Sequence, residues 1–243
     1  MYRALIKRRN EISRVLARRL TLAAALWLAA GLAVSVFVLW AFAELADGVV
    51  EGEFRRFDRA VLLWIDQNVP ESWDGAMRWI TALGYYWVVM PLLAAAVLAF
   101  YLKNWRLSAI LLCVSTGGSA LLTTVIKAVF QRVRPELVDS AYTASFYSFP
   151  SGHATVAVGF YGVLTVILAY RARGLARWAI AAGGAALVLL IGFSRLYLGV
   201  HYPTDVLAGF LTALVWVISV GTVYVVWLSI RGLRAAEMRQ KGE

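Results

Sequence analysis

Between Thr21 and Phe42 the chain runs for 22 residues without a charged side chain. A bilayer's hydrocarbon core is about 30 Å thick and takes about 20 helical residues to cross. Lipid offers no partner for a free backbone N–H or C=O, so a run of this kind is confined to a membrane-spanning helix. Comparable runs follow, and the expected spans are 21–43, 83–101, 107–126, 153–170, 178–194 and 205–229. The expected fold is therefore all-α, a polytopic membrane protein with six transmembrane helices. Gly117, Gly118 and Ser119 in the third span, and Gly183 and Gly184 in the fifth, are small enough for neighbouring helices to approach closely.

Charge placement orients these spans. With the amino terminus inside, segments 1–20, 102–106, 171–177 and 230–243 hold sixteen of the 24 Lys and Arg residues and only Glu11, Glu237 and Glu243 of the 14 acidic ones. This is the positive-inside pattern, and it predicts both termini in the cytoplasm. A net charge of +10 in a soluble chain would suggest a nucleic-acid partner. Here the basic residues sit between apolar runs, so they report topology, and no nucleic-acid partner is expected. The expected organisation is a basic amino-terminal segment over 1–20, one membrane domain over 21–229 and a basic tail over 230–243. Residues 1–20 read equally as a basic helix on an anionic inner leaflet or as a tail that fixes orientation. The first run is too long for a secretory leader, and no small-residue cleavage site follows it. Cys113, the one cysteine, lies in an apolar run and reads as a buried, inert thiol.

The longest outer segment, 44–82, contains two amphipathic stretches. In one, Phe57, Val61, Leu62, Trp64 and Ile65 form a stripe opposite Arg59 and Asp66; the other runs from Trp73 to Leu83. Both read as short interfacial helices without evident chemistry.

Three polar clusters interrupt the apolar pattern, all on the outer side. They are Lys127 to Pro135; Ser148 to His153; and Ser194-Arg195 with His201 to Asp205. Singly, each has an ordinary structural reading as a snorkelling cation, a turn or a hydrogen-bonded pair. Together they contain both histidines of the chain, and ionisable groups at a membrane boundary are functional by default. Lys127, Arg134 and Arg195 converging would hold a dianionic phosphate, arginine offering forked contacts to its oxygens. Ser151 and the Gly152 N–H stand at the start of a helix, where anions are favoured. Two histidines supply a nucleophile and a proton donor. Asp205, four residues after His201, is placed to accept the imidazole Nδ1–H and leave Nε2 free to attack. Phe146, Tyr147 and Phe149, just before the second cluster, read better as packing than as an entrance lining.

Lys127 with Arg134-Pro135 resembles the first motif of the type 2 phosphatidic acid phosphatase (PAP2) superfamily. Pro150-Ser151-Gly152-His153 resembles its second, and Ser194-Arg195, His201 and Asp205 its third. The motif region covers 127–205. The resemblance implies a lipid phosphatase working through a phosphohistidine on His201, supported by Asp205. His153 would be acid and then base, while Lys127, Arg134, Ser151, Gly152 and Arg195 hold the phosphate. It implies no metal and no cofactor. The expected partners are a lipid phosphate substrate and membrane lipids, the substrate being undecaprenyl pyrophosphate, phosphatidylglycerol phosphate or phosphatidic acid. The expected location is a bacterial cytoplasmic membrane with the site on the periplasmic or extracellular face. A silent lipid binder or transporter on the same scaffold is the alternative class, and its signature would be loss of His153, His201 or Asp205. A vanadate haloperoxidase shares the anion site, but the resemblance there is to larger, soluble proteins.

Overall fold

The structure, a computed structural model, describes the backbone of residues 2–136 and 146–241 and the side chains of 22, 24–136 and 146–232. Every regular element among these residues is helical: α1 (Tyr2–Glu51), α2 (Arg55–Asn68), α3 (Asp74–Ala82), α4 (Tyr86–Leu102), α5 (Arg106–Phe130), α6 (Gly152–Arg171), α7 (Gly174–Tyr197) and α8 (Pro203–Lys241). A 3-10 turn, Glu71–Trp73, precedes α3, and α6 widens to π geometry over Ala157–Gly162.

Five helices are long and apolar enough to cross a bilayer: Ala24–Glu51 of α1, α5, α6, α7 and Pro203–Gly232 of α8. Glu71–Ala82 and Tyr86–Leu102 form a further pair, bent by 51°, that adds a sixth if taken as one span. The helices extend past the apolar runs because a helix does not stop where hydrocarbon ends. The side chains of the basic 1–20 stretch lie outside the described residues, although its backbone is helical from Tyr2.

Packing divides the chain into two compact units, Met1–Phe37 with Ile218–Glu243, and Val38–Val217. In the first, α1 and α8 approach so closely that a Cβ on Gly31 would lie 2.1 Å from Thr222 Oγ1. The second holds the three polar clusters. One part of its core gathers Val89, Leu112, Phe160 and Ile191 from α4 to α7; another gathers Leu45, Phe149 and Ala208. A Cβ on Gly118 would strike the Trp216 ring, and one on Gly184 would strike Thr165, so both helix pairs meet through these glycines.

Two sequence expectations change. Cys113 is exposed, on the apolar surface it shares with Ile110, Val114 and Leu121. An apolar run shows that a residue avoids water, not whether protein or lipid covers it. In α2 the inward face is Asp58, Leu62 and Ile65, whereas Phe57 and Trp64 point outward.

Candidate active site

Backbone hydrogen bonds bring the three polar clusters together. Gln131 closes α5 in a left-handed conformation (φ 47°), its N–H bonding the Lys127 carbonyl. This turns the chain out of the helix, and Arg132 and Arg134 follow on non-helical backbone. The Ser148 N–H donates to the Arg132 carbonyl at 2.8 Å, and Ser148 Oγ reaches the Arg132 and Val133 carbonyls. A cis Phe149–Pro150 peptide leads to Ser151, whose N–H donates to the Asp205 carbonyl at 2.9 Å. Ser151 then caps α6, its Oγ accepting from Ala154 N. Gly209 permits this junction: a Cβ there would lie 2.6 Å from the Ser151 carbonyl oxygen.

On this frame the cations and histidines gather. Lys127 Nζ donates to the Tyr147 carbonyl and, at 3.4 Å, to that of Ser148. Arg134 Nη1 donates to the Val200 carbonyl at 2.7 Å and lies 3.2 Å from His201 Nε2, while its Nε donates to the Phe146 carbonyl. A guanidinium only donates, so a hydrogen bond here takes Nε2 as acceptor and corresponds to the tautomer with the ring proton on Nδ1. Nδ1 faces Asp205 Oδ2 at 3.4 Å, and the Tyr202 N–H donates to the same oxygen at 2.9 Å. Arg195 is 2% exposed and its Nη1 donates to Thr81 Oγ1 at 2.6 Å. His153 lies within electrostatic range of Arg195, His201, Arg134 and Lys127, and its buried Nε2 makes no hydrogen bond among the described residues. Ser151 is fully buried, and Gly152 opens α6 beside Thr123.

Burial, then the charges of Arg195, Arg134 and Lys127, hold the His201 imidazole well below its ordinary range; a hydrogen bond to the Ser148 backbone offsets part of this. The ring is a neutral base with an available lone pair. Burial and Arg195 lower Arg134 to about 10. A pocket that strains its own cations against one another is relieved by an anion, and the set lies where helix α6 begins.

Five residues outside the eight named from the sequence help build this site. Thr81 of α3 holds Arg195. Gly84 leaves room for His153, since a Cβ there would lie 2.4 Å from its Cδ2, and Tyr85 meets the His153 ring edge-on at 4.7 Å. Asp58 of α2 and Arg132 bond each other at 2.7 Å, and Arg132 bonds Asp205 at 2.6 Å. The segment between the first two spans thus contributes to the site, contrary to expectation. The signal for Asp58 was its spacing with Leu62 and Ile65, which puts a carboxylate on the buried face of a helix. Of the three aromatic residues before the second cluster, Phe149 is fully buried against Phe42 and Phe130, whereas Phe146 is 85% exposed.

Long apolar helices around a cluster of cations and two histidines define an integral membrane protein. The chain belongs to the PAP2 superfamily, whose family model matches residues 108–231. It is 33% identical over 182 residues to phosphatidylglycerophosphatase B of Bacillus subtilis, covering 72% of this chain and 85% of that one. It is 32% identical over 152 residues to an undecaprenyl-diphosphatase of Sulfolobus acidocaldarius, covering 60% and 68% respectively. A crystal structure of a transmembrane PAP2-type phosphatidylglycerolphosphate phosphatase from Bacillus subtilis superposes with a TM-score of 0.72 at 27% identity, covering 78% of this chain and 95% of that one.

Proposed function

We propose that this protein is a metal-independent lipid phosphatase that works through a phosphohistidine on His201. The observation that carries the reading is the convergence of Lys127, Arg134, Arg195, His153 and His201 from three separated segments. In the proposed reaction the His201 Nε2 lone pair attacks phosphorus as the bond to the leaving oxygen breaks. Asp205 keeps the ring proton on Nδ1. His153 protonates the leaving oxygen, then takes a proton from the water that attacks phosphorus as the phosphorus–nitrogen bond breaks, releasing phosphate and returning the lone pair to His201 Nε2. Lys127, Arg134, Arg195, Ser151 and the Gly152 N–H bind the equatorial oxygens, where charge is concentrated. The substrate's negative charge offsets the cations facing His153. These cations supply the charge that a metal ion would otherwise provide, and no three His, Cys, Asp or Glu side chains cluster as metal ligands among the described residues.

In this reading α4 is the second of six spans, α2 and α3 are interfacial helices, and the site opens on the non-cytoplasmic face of a bacterial cytoplasmic membrane. The basic segments that flank the apolar runs support cytoplasmic termini. The names of the relatives make phosphatidylglycerol phosphate and undecaprenyl pyrophosphate the leading substrates, with phosphatidic acid as the simplest monoester.

The test is phosphate release in detergent, with chelator present, from each of these lipids by wild type and His201→Ala. Release by wild type alone is expected. A folded His201→Ala protein that turns over normally would sink the nucleophile, and lipid binding without release by wild type would make this a silent binder.

A further inference from the structure

The buried ion network of Asp58, Arg132 and Asp205 lies behind the site. Asp58 is fully buried, and its Oδ2 accepts from Arg132 Nη2 and from Thr204 Oγ1, each at 2.7 Å. Its Oδ1 accepts the Thr204 N–H at 3.1 Å. Arg132 Nη1 donates to Asp205 Oδ1 at 2.6 Å and to Thr204 Oγ1 at 2.8 Å, and its guanidinium lies over the Tyr202 ring at 4.2 Å. Arg132 and Arg134 are two residues apart, yet Arg134 meets His201 while Arg132 faces the far side of Asp205.

This arrangement divides the Asp205 carboxylate between two tasks. Oδ1 is held tightly by Arg132, whereas Oδ2 meets His201 Nδ1 at the longer distance of 3.4 Å. A guanidinium bonded to Oδ1 fixes the plane of the carboxylate and so the direction from which Oδ2 meets the imidazole. Asp58 in turn compensates Arg132. With both in place the three groups carry one net negative charge towards His201; without Asp58 they carry none.

We propose that Asp58 and Arg132 are positioning residues for His201, acting through Asp205: Arg132 fixes the carboxylate, and Asp58 keeps Arg132 from becoming a fourth phosphate cation. This rests on the reading of His201 as the nucleophile. Besides Asp205, the groups facing His201 are Arg134, Arg195, Lys127 and His153, all cationic or neutral. The negative charge on the Asp205 side is therefore the counterweight to three cations.

The experiment compares wild type, Asp58→Asn, Asp58→Glu, Asp58→Asn with Arg132→Gln, and His201→Gln in detergent, each checked for folding by thermal melting. Turnover of phosphatidic acid is read with the inhibition constant of inorganic phosphate and the pH profile of kcat/KM. Asp58→Asn is expected to lower kcat on the order of tenfold, a usual size for an effect relayed through a supporting partner. It should also tighten phosphate inhibition several-fold and move the acid limb to lower pH. The double variant restores the net charge, so inhibition and acid limb should return towards wild type while kcat stays low; Asp58→Glu should recover part of kcat. A merely structural role would weaken phosphate binding together with turnover, and that result would overturn the proposal. So would a folded Asp58→Asn enzyme with wild-type kcat, inhibition and pH profile while His201→Gln is inactive. An active His201→Gln protein would instead remove the nucleophile on which the proposal rests.

Discussion

Gly84→Ala is the sharpest test of how His153 is held, because it adds one methyl group at a residue outside the three motifs. The new Cβ would stand 2.4 Å from His153 Cδ2, 2.9 Å from Cγ and 3.1 Å from Cβ. Carbon atoms pack at about 3.5 Å or more, so the ring must retreat by about 1 Å. It has little freedom to do so, with Tyr85 edge-on at 4.7 Å and the backbone committed to the first turn of α6. A displacement of about 1 Å in a catalytic group costs roughly 100-fold in rate, or about 2.7 kcal/mol. Overpacking should also destabilise the fold by about 1–3 kcal/mol, so melting in detergent must accompany the kinetics. If His153 protonates the leaving oxygen, the loss will be concentrated on lipid alkyl phosphates. An aryl phosphate, whose phenolate leaves without a proton, should retain most of its rate. A folded Gly84→Ala enzyme with wild-type kcat on lipid would refute this placement of His153, and equal losses on both substrates would refute its role as acid.

Two further outcomes follow from the geometry. Thr81→Val removes the hydroxyl that accepts from Arg195 without changing side-chain volume much; it should cost about 1–3 kcal/mol of stability, read by melting, and raise KM more than it lowers kcat. Because burial and three cations lower the His201 pKa, the imidazole should stay neutral as pH falls through the ordinary value of about 6.5 and protonate only below it. Labelled His153→Gln protein has one remaining imidazole, so an NMR titration reads this directly, and a midpoint at or above that value would contradict the geometry.

The spans were legible because a bilayer imposes a length and lipid imposes composition; α5, α6 and α7 begin and end within a few residues of the expected limits. The eight motif residues were legible because charge and histidine stand out against Leu, Val and Ala. Asp58 and Thr81 were not, since they sit in an amphipathic stretch where polar side chains normally face water. Phe57 and Trp64 drew the apolar stripe towards themselves, yet both face outward, and tertiary packing turned α2 to bury a carboxylate instead. Gly84 was illegible for a different reason: a glycine's importance lies in the neighbour it makes room for, and His153 is distant in sequence.

Asp58 and its backbone donor at Thr204 are 146 residues apart. During synthesis the carboxylate on α2 and, later, Arg132 are made long before the head of α8 exists. Asp205 and Thr204, which complete their hydrogen bonding, arrive with the final described helix. On the proposed mechanism, a chain ending before α8 would carry Lys127, Arg134 and Arg195 without the Asp205 that orients His201, so hydrolytic competence would require the last described helix.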